Sequence, residues 1–285
     1  MEMPAQSSTD AAIAHAMAVK AAEGLDAPQD WTAALDHLAR AAVLGSRLAQ
    51  AELAALSGDW PLALDILATQ TAPDAPWSQW RSAIDLAPWL APPEAKWICQ
   101  KPRIAVVNDI ASAGMCAWLI ARARDDLQPA RIYDSEDGHA RADSGRSNTL
   151  RPFGPADRDL VFATLRARIA AVTGLPVGVM ERPHILHYAV GEQFLPHFDT
   201  PEDANAPAFR QRVLTFLVAL NDGYEGGETV FPRAGGRWKG RQGGGLFFWN
   251  VEPDGSRDRQ ALHAGRPVTQ GEKWLLSQWI GRPEG

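Results

Sequence analysis

Along residues 10–70 the apolar positions, mostly Ala and Leu, recur at helical spacing between residues that start and stop helices. Asp10 is placed to cap a first helix that runs through Glu23 and ends near Gly24. Asp30 is placed to cap a second, with Leu35, Leu38, Ala42 and Val43 on one stripe and Gly45 at its end. Ser46 opens a third up to Gly58, and a fourth begins near Asp59 with Pro61 in its first turn. Paired helices with glycine between them predict a small helical stack. Residues 71–102 break this rhythm. Their prolines oppose a long regular helix, and Trp77, Trp80, Trp89 and Trp97 argue for an ordered connector rather than a loose one.

From about Pro102 the period changes. RIAVVND reads as a strand, and Ser112 opens an amphipathic helix, AGMCAWLIARARDDL. RIYD reads as a short strand, residues 134–149 as a polar loop, and PADRDLVFATLRARIAAVTG as a second helix. Short β-like runs with turn signals follow: HILHYAV, EQFLPHFD, RVLTFLVAL, GETVFP, GGLFFWN, RPVTQ and EKWLLSQWI. The expected fold class is α+β, a helical stack followed by a β sandwich or barrel with two helices leaning on it. The expected division is a helical region at 1–75, a Trp/Pro-rich connector at 76–101 and a main domain at 102–285.

Composition narrows the classes. A chain of 285 residues, 46% apolar and 22% charged with eleven tryptophans, has ample material for a core and is not a disordered chain. It holds no apolar run long enough to predict a membrane span, and MEMPAQSSTDAAIAHAM lacks the layout of a secretory signal. A net charge of −6 and a pI near 5.7 lower the expectation of nucleic-acid binding. The two cysteines, Cys99 and Cys116, give neither a disulfide framework nor a thiolate zinc site, and a cytoplasmic location is expected.

The candidate chemistry lies in the β region. In a strand, positions i and i+2 share a face, so His197 and Asp199 can offer a nitrogen and an oxygen to one point while Phe198 faces away. Taken alone, such a triplet also fits a hydrogen-bonded surface pair. His263 adds a second imidazole. Two histidines and one carboxylate form the ligand set of non-haem Fe(II) sites with open positions. Lys273 follows ten residues later inside the apolar segment EKWLLSQWI. A buried ammonium there needs an anion.

The ordered motifs HYAVGEQFLPHFD, RVLTFLVALND, GGETVFP, GGLFFWN and LHAGRPVTQGEKWLLSQWI resemble the catalytic core of the prolyl 4-hydroxylase family. The resemblance is densest over 185–281. It implies a double-stranded β-helix, or jelly roll, that uses Fe(II), 2-oxoglutarate and O2. A prolyl residue in a protein or peptide would be hydroxylated with release of succinate and CO2. An ascorbate requirement is left open. By position, the resemblance makes His197, Asp199 and His263 the metal ligands. Lys273 becomes the partner of the distal carboxylate of 2-oxoglutarate, with Tyr188 and Thr215 beside the same cosubstrate. Thr215, the one polar residue of its strand, reads equally as a satisfied core threonine. Trp249 and Trp274 match aromatics near the site and read as packing.

Other features call for plainer readings. His184 and His187 point to opposite faces of a strand and do not converge. The glycine clusters lack the lysine and helix of a phosphate loop and suit tight bends. Arg233, Arg237, Lys239 and Arg241 read as a solvated hairpin or as a guide for an acidic substrate. Segments 134–149 and 201–211 are candidate lids. The helical region resembles tetratricopeptide repeats over LDHLARAAVLGSRLAQAELAAL, with a plain bundle as the other reading, and is a candidate surface for a protein partner. Two other functions stay open at this point: a hydroxylase of a free amino acid or small metabolite, and a non-catalytic interaction or sensor protein.

Overall fold

The structure, a computed structural model, describes residues 5–130, 132–133, 140–141, 145–202 and 211–282. It divides into two compact units. One comprises Met1–Pro92 with Pro155–Ala171, the other Pro93–Gly154 with Val172–Gly285.

The first unit is helical: α1 (Ala5–Glu23), α2 (Trp31–Val43), α3 (Arg47–Leu56), α4 (Trp60–Thr69) and the short α5 (Trp77–Ala83) and α6 (Ala87–Leu90). The caps follow the local signals. Asp30 accepts from the Ala33 N–H, Ser46 from Ala49 and Asp59 from Leu62, at 2.9, 3.2 and 3.1 Å. The first helix begins at Ala5, not at Asp10, because AQSST contains no residue that opposes helix propagation. Within the connector, Trp77 packs on Trp80 and Trp89 on Trp60, with centroids 5.2 and 5.6 Å apart.

Part of this unit comes from far along the chain. Most of α8 (Leu160–Thr173) clusters with the N-terminal helices rather than with the sheets it was expected to flank. Its positions 160–166 are all buried, so it carries no single apolar stripe by which the sequence could name its partner. Two buried glutamates tie it in. Glu52, wholly buried, accepts the Leu160 N–H at 2.6 Å and bonds His15. Glu23 pairs with Arg158 at 3.0 Å and with Arg166.

The second unit opens with β1 (Ala95–Gln100), a strand inside the expected connector, followed by β2 (Arg103–Val107) and α7 (Ala113–Ala123). Short strands β3 (Gln128–Pro129), β4 (Ile132–Tyr133), β5 (Ala140–Arg141) and β6 (Thr149–Pro152) precede α8. After it come β7 (His184–Tyr188), β8 (Phe194–His197), β9 (Arg212–Ala219), β10 (Glu225–Gly226), β11 (Thr229–Phe231) and β12 (Gly236–Trp238). The last four are β13 (Gly245–Trp249), β14 (His263–Gly265), β15 (Val268–Gln270) and β16 (Lys273–Gly281).

An eight-stranded sheet in the order β1-β2-β13-β9-β16-β7-β6-β3 and a four-stranded sheet β12-β11-β14-β8 form the jelly roll. Their inner faces share a core that includes Leu186, Leu217, Phe231, Phe248 and Leu275. Gly226 shows why the glycine pairs are needed. It has φ +69°, and a Cβ there would lie 2.4 Å from the Pro267 carbonyl oxygen. No helix among the described residues is long and apolar enough to cross a membrane.

Candidate active site

His197 is the last residue of β8 and His263 the first of β14, and the two are direct antiparallel partners. Their rings lie 4.3 Å apart. Asp199 lies in a bend two residues beyond His197, outside the strand that the sequence assigned to it. Its side chain still turns to the same point: Oδ1 is 3.6 Å from His197 Nε2, and Oδ2 is 3.5 Å from His263 Nε2. One donor atom from each residue falls within 4.8 Å of the others.

The imidazoles are oriented for ligation. Nδ1 of His197 lies 2.9 Å from the Leu195 carbonyl, and Nδ1 of His263 lies 3.1 Å from that of Ala261. A carbonyl can only accept, so each Nδ1 carries a hydrogen and Nε2 is the ring nitrogen that faces the common point. Phe194 stacks on the His197 ring at 3.5 Å, and Phe248 meets the His263 ring edge at 4.7 Å. Burial and the neighbouring His197 push His263 down to about 4, so it is neutral at pH 7. Burial works against the Asp199 charge, yet His263, His197 and Arg212 outweigh it and hold the carboxyl well below the usual range. Two imidazole nitrogens and one carboxylate facing one point fit an octahedral divalent iron with open positions.

A cavity runs inward from this point, walled by both sheets. Lys273 and Tyr188, paired across β16 and β7, lie along it. Lys273 is 3% exposed, and its Nζ donates to the Gly227 carbonyl at 2.7 Å. It has no carboxylate partner among the described residues. Burial pulls it down to about 8, with Glu228 opposing. A cation that must stay buried and keeps unused hydrogens suits a carboxylate ligand. Tyr188 is pushed up to about 12 by burial, so its hydroxyl remains a donor. Gly227 is shaped by this lysine: it has φ +68°, and a Cβ there would meet Lys273 Cδ at 3.3 Å.

Thr215 lines the same cavity, but its hydroxyl donates to Asp199 Oδ2 at 2.6 Å. Three further lining residues were not singled out for chemistry. Thr229 in GGETVFP is buried opposite Gly265, and the two-residue period linking it to inward Phe231 could have found it. Trp279 pairs with Thr215 across the sheet beneath the Arg212 guanidinium at 3.8 Å. Arg146, expected only as part of a lid, is 9% exposed and lies 4.5 Å over the Phe194 ring. It donates to Asn148 Oδ1 at 2.9 Å and has no acidic partner among the described residues.

Trp249 and Trp274 do not line the cavity. Trp249 lies under Arg103, and Trp274 packs against His187 on the outer face. His187 bonds Glu272 at 2.9 Å, turned away from Tyr188. The expected lids fall largely on residues outside the described set, 134–139, 142–144 and 203–210.

Comparison with known proteins agrees with this arrangement. The sequence profile described as the 2OG-Fe(II) oxygenase superfamily matches residues 183–281. The chain is 32% identical over 200 residues to a probable prolyl 4-hydroxylase 3 of Arabidopsis thaliana, covering 63% of this chain and 69% of that one. It is 32% identical over 199 residues to prolyl 4-hydroxylase subunit alpha-1 of Rattus norvegicus, covering 67% of this chain and 36% of that one. Its fold is similar to that of the viral collagen prolyl hydroxylase of Paramecium bursaria Chlorella virus-1, solved with 2OG. The TM-score is 0.53 at 24% identity, over 65% of this chain and 99% of the viral one. The chain therefore belongs to the prolyl 4-hydroxylase-like family of Fe(II)- and 2-oxoglutarate-dependent dioxygenases.

Proposed function

We propose that this enzyme hydroxylates a prolyl residue in a protein or peptide. The observation that carries the reading is the convergence of His197, Asp199 and His263 at one end of a cavity whose wall holds the buried Lys273 and Tyr188. The relatives named above are prolyl hydroxylases, which supports the prolyl target.

In this reading His197, Asp199 and His263 hold the iron. Bound iron would supply the O2-dependent chemistry, in which one oxygen atom of O2 goes to succinate as 2-oxoglutarate loses CO2 and the other becomes the hydroxyl on the substrate carbon. The remaining tasks fall to the chain. Lys273 holds the far carboxylate of the cosubstrate as a point charge, and Tyr188 donates a hydrogen bond to it. Asp199 offsets part of the metal charge. The apolar walls, Leu186, Leu217 and Leu275 among them, keep water from the reacting centre. The free thiols of Cys99 and Cys116 suit a reducing cytoplasm.

Arg146 supports a second reading, a free amino acid as substrate. A buried guanidinium with no acidic partner among the described residues can take either a peptide carbonyl or a free carboxylate. The two readings separate in one assay. Iron-loaded protein is incubated with 2-oxoglutarate, O2 and either proline-rich peptides or free amino acids, and succinate is compared with hydroxylated product. Coupled turnover on a peptide is expected. Turnover on free amino acids alone would replace the peptide by the small substrate, and no binding of 2-oxoglutarate in calorimetry would end both.

A further inference from the structure

We infer that Asn250 and Thr215 form a hydrogen-bonded chain that positions Asp199 for metal binding. This rests on the proposed metal site. Asn250 Nδ2 lies 2.9 Å from Thr215 Oγ1, and Thr215 Oγ1 lies 2.6 Å from Asp199 Oδ2. The direction of both bonds follows from chemistry. An ionised carboxylate only accepts, so the single hydroxyl hydrogen of Thr215 goes to Asp199. The hydroxyl oxygen must then accept from position 250, which an amide nitrogen satisfies.

Asp199 needs this support more than the two histidines do. His197 and His263 are fixed by strand pairing and by their Nδ1 bonds to carbonyls. Asp199 lies in a bend past the end of β8, next to a segment outside the described residues, and no ladder holds its backbone. The chain reaches it from the opposite sheet. Thr215 is in β9, and Asn250 follows β13 directly, anchored by its N–H to the Val213 carbonyl at 2.9 Å and by its own carbonyl, which accepts the Asp258 N–H at 2.9 Å. Both residues are buried, at 1% and 2% exposure, where a hydrogen bond is stronger than in water and an unpaired polar group is costly. The chain thus joins the eight-stranded sheet to the ligand that lies off the four-stranded one, and holds the carboxylate in one rotation against the two imidazoles.

Hydrogen bonds to a ligating carboxylate are worth about 10–100-fold in metal affinity. The test measures Co(II) affinity by calorimetry and the Co(II) visible spectrum, on full-length protein, for wild type, Thr215→Val, Thr215→Ser and Asn250→Leu. Thr215→Val keeps the shape and removes the hydroxyl. It is expected to weaken Co(II) binding about 10–100-fold and to shift the spectrum, with far-UV circular dichroism unchanged. Thr215→Ser is expected to restore most of the affinity, which a packing role for the threonine methyl would not allow. Asn250→Leu is expected to weaken binding in the same direction and supplies the comparison if the valine variant does not fold. Wild-type affinity and spectrum in either folded variant would overturn the inference while leaving the metal site standing. No Co(II) binding by wild type would overturn both.

Discussion

His197 and His263 are direct cross-strand partners, so the two imidazoles of the triad are set by sheet register rather than by loop conformation. Side chains directly opposite one another on antiparallel strands come within a few ångströms, and these two rings lie 4.3 Å apart. That spacing suits two neutral ligands of one ion and opposes two imidazolium charges. The expected result for His197→Ala is loss of Fe(II) and Co(II) binding with unchanged far-UV circular dichroism. Collapse of the fold would instead make the residue structural.

Lys273 gives the cosubstrate reading a proton signature. Burial lowers its pKa to about 8, and an arriving carboxylate favours the charged form and raises it again. Near that pH, binding of 2-oxoglutarate takes up a proton, and affinity falls as the pH rises above it. Calorimetry in buffers of different ionisation heat measures both effects. Lys273→Met is expected to abolish 2-oxoglutarate binding and to raise the melting temperature of the metal-free protein, because a buried cation is removed. Undiminished 2-oxoglutarate affinity in that variant would place the anchor elsewhere.

His184 shapes the acid limb of stability. Burial, with Arg146 and Arg212 nearby, pushes its pKa down to about 3, whereas the unfolded chain has the ordinary histidine value of about 6.5. A depressed folded value means that the unfolded state binds the extra proton. Stability from this group is therefore complete above about pH 6.5 and is lost progressively as the pH falls toward about 3. Among the described residues its buried Nδ1 has no hydrogen-bond partner, and its ring meets Trp279 edge-on at 4.7 Å. His184→Phe keeps the ring contact and removes the titration. Near pH 5 the variant is expected to be up to about 2 kcal/mol less acid-sensitive than wild type in denaturant melts. Parallel pH profiles would refute this.

Glu52 tests the helical unit. It is wholly buried, bonds His15 and accepts the first N–H of α8. Leaving a buried polar group unsatisfied costs about 1–3 kcal/mol, and Glu52→Ala, which strands the Leu160 N–H, is expected to cost at least that much by denaturant unfolding. Glu52→Gln, which keeps the shape and one acceptor, is expected to cost less. The same bond predicts that deleting residues 1–92 destabilises the chain, because α8 loses Glu23 and Glu52 together. A truncated protein with an unchanged melting curve would contradict that.

The helix starts at Asp30, Ser46 and Asp59 were legible because a cap bonds an N–H only a few residues away. The motifs holding His197, Asp199, His263, Lys273 and Tyr188 were legible as an ordered set through their resemblance to one family, although Asp199 lies in a bend and the strand of Lys273 is buried on both faces. Other features depended on the fold. The side that α8 joins, the burial of Arg146, the inward turn of Thr229 and Trp279, and the bond from Thr215 to Asp199 each depend on a distant segment. Local periodicity fixes which face of an element is apolar, but not what meets that face. Only the register of β9 against β13 and β16, closed over the bend after β8, decides that a lone threonine in an apolar strand bonds the Asp199 carboxylate.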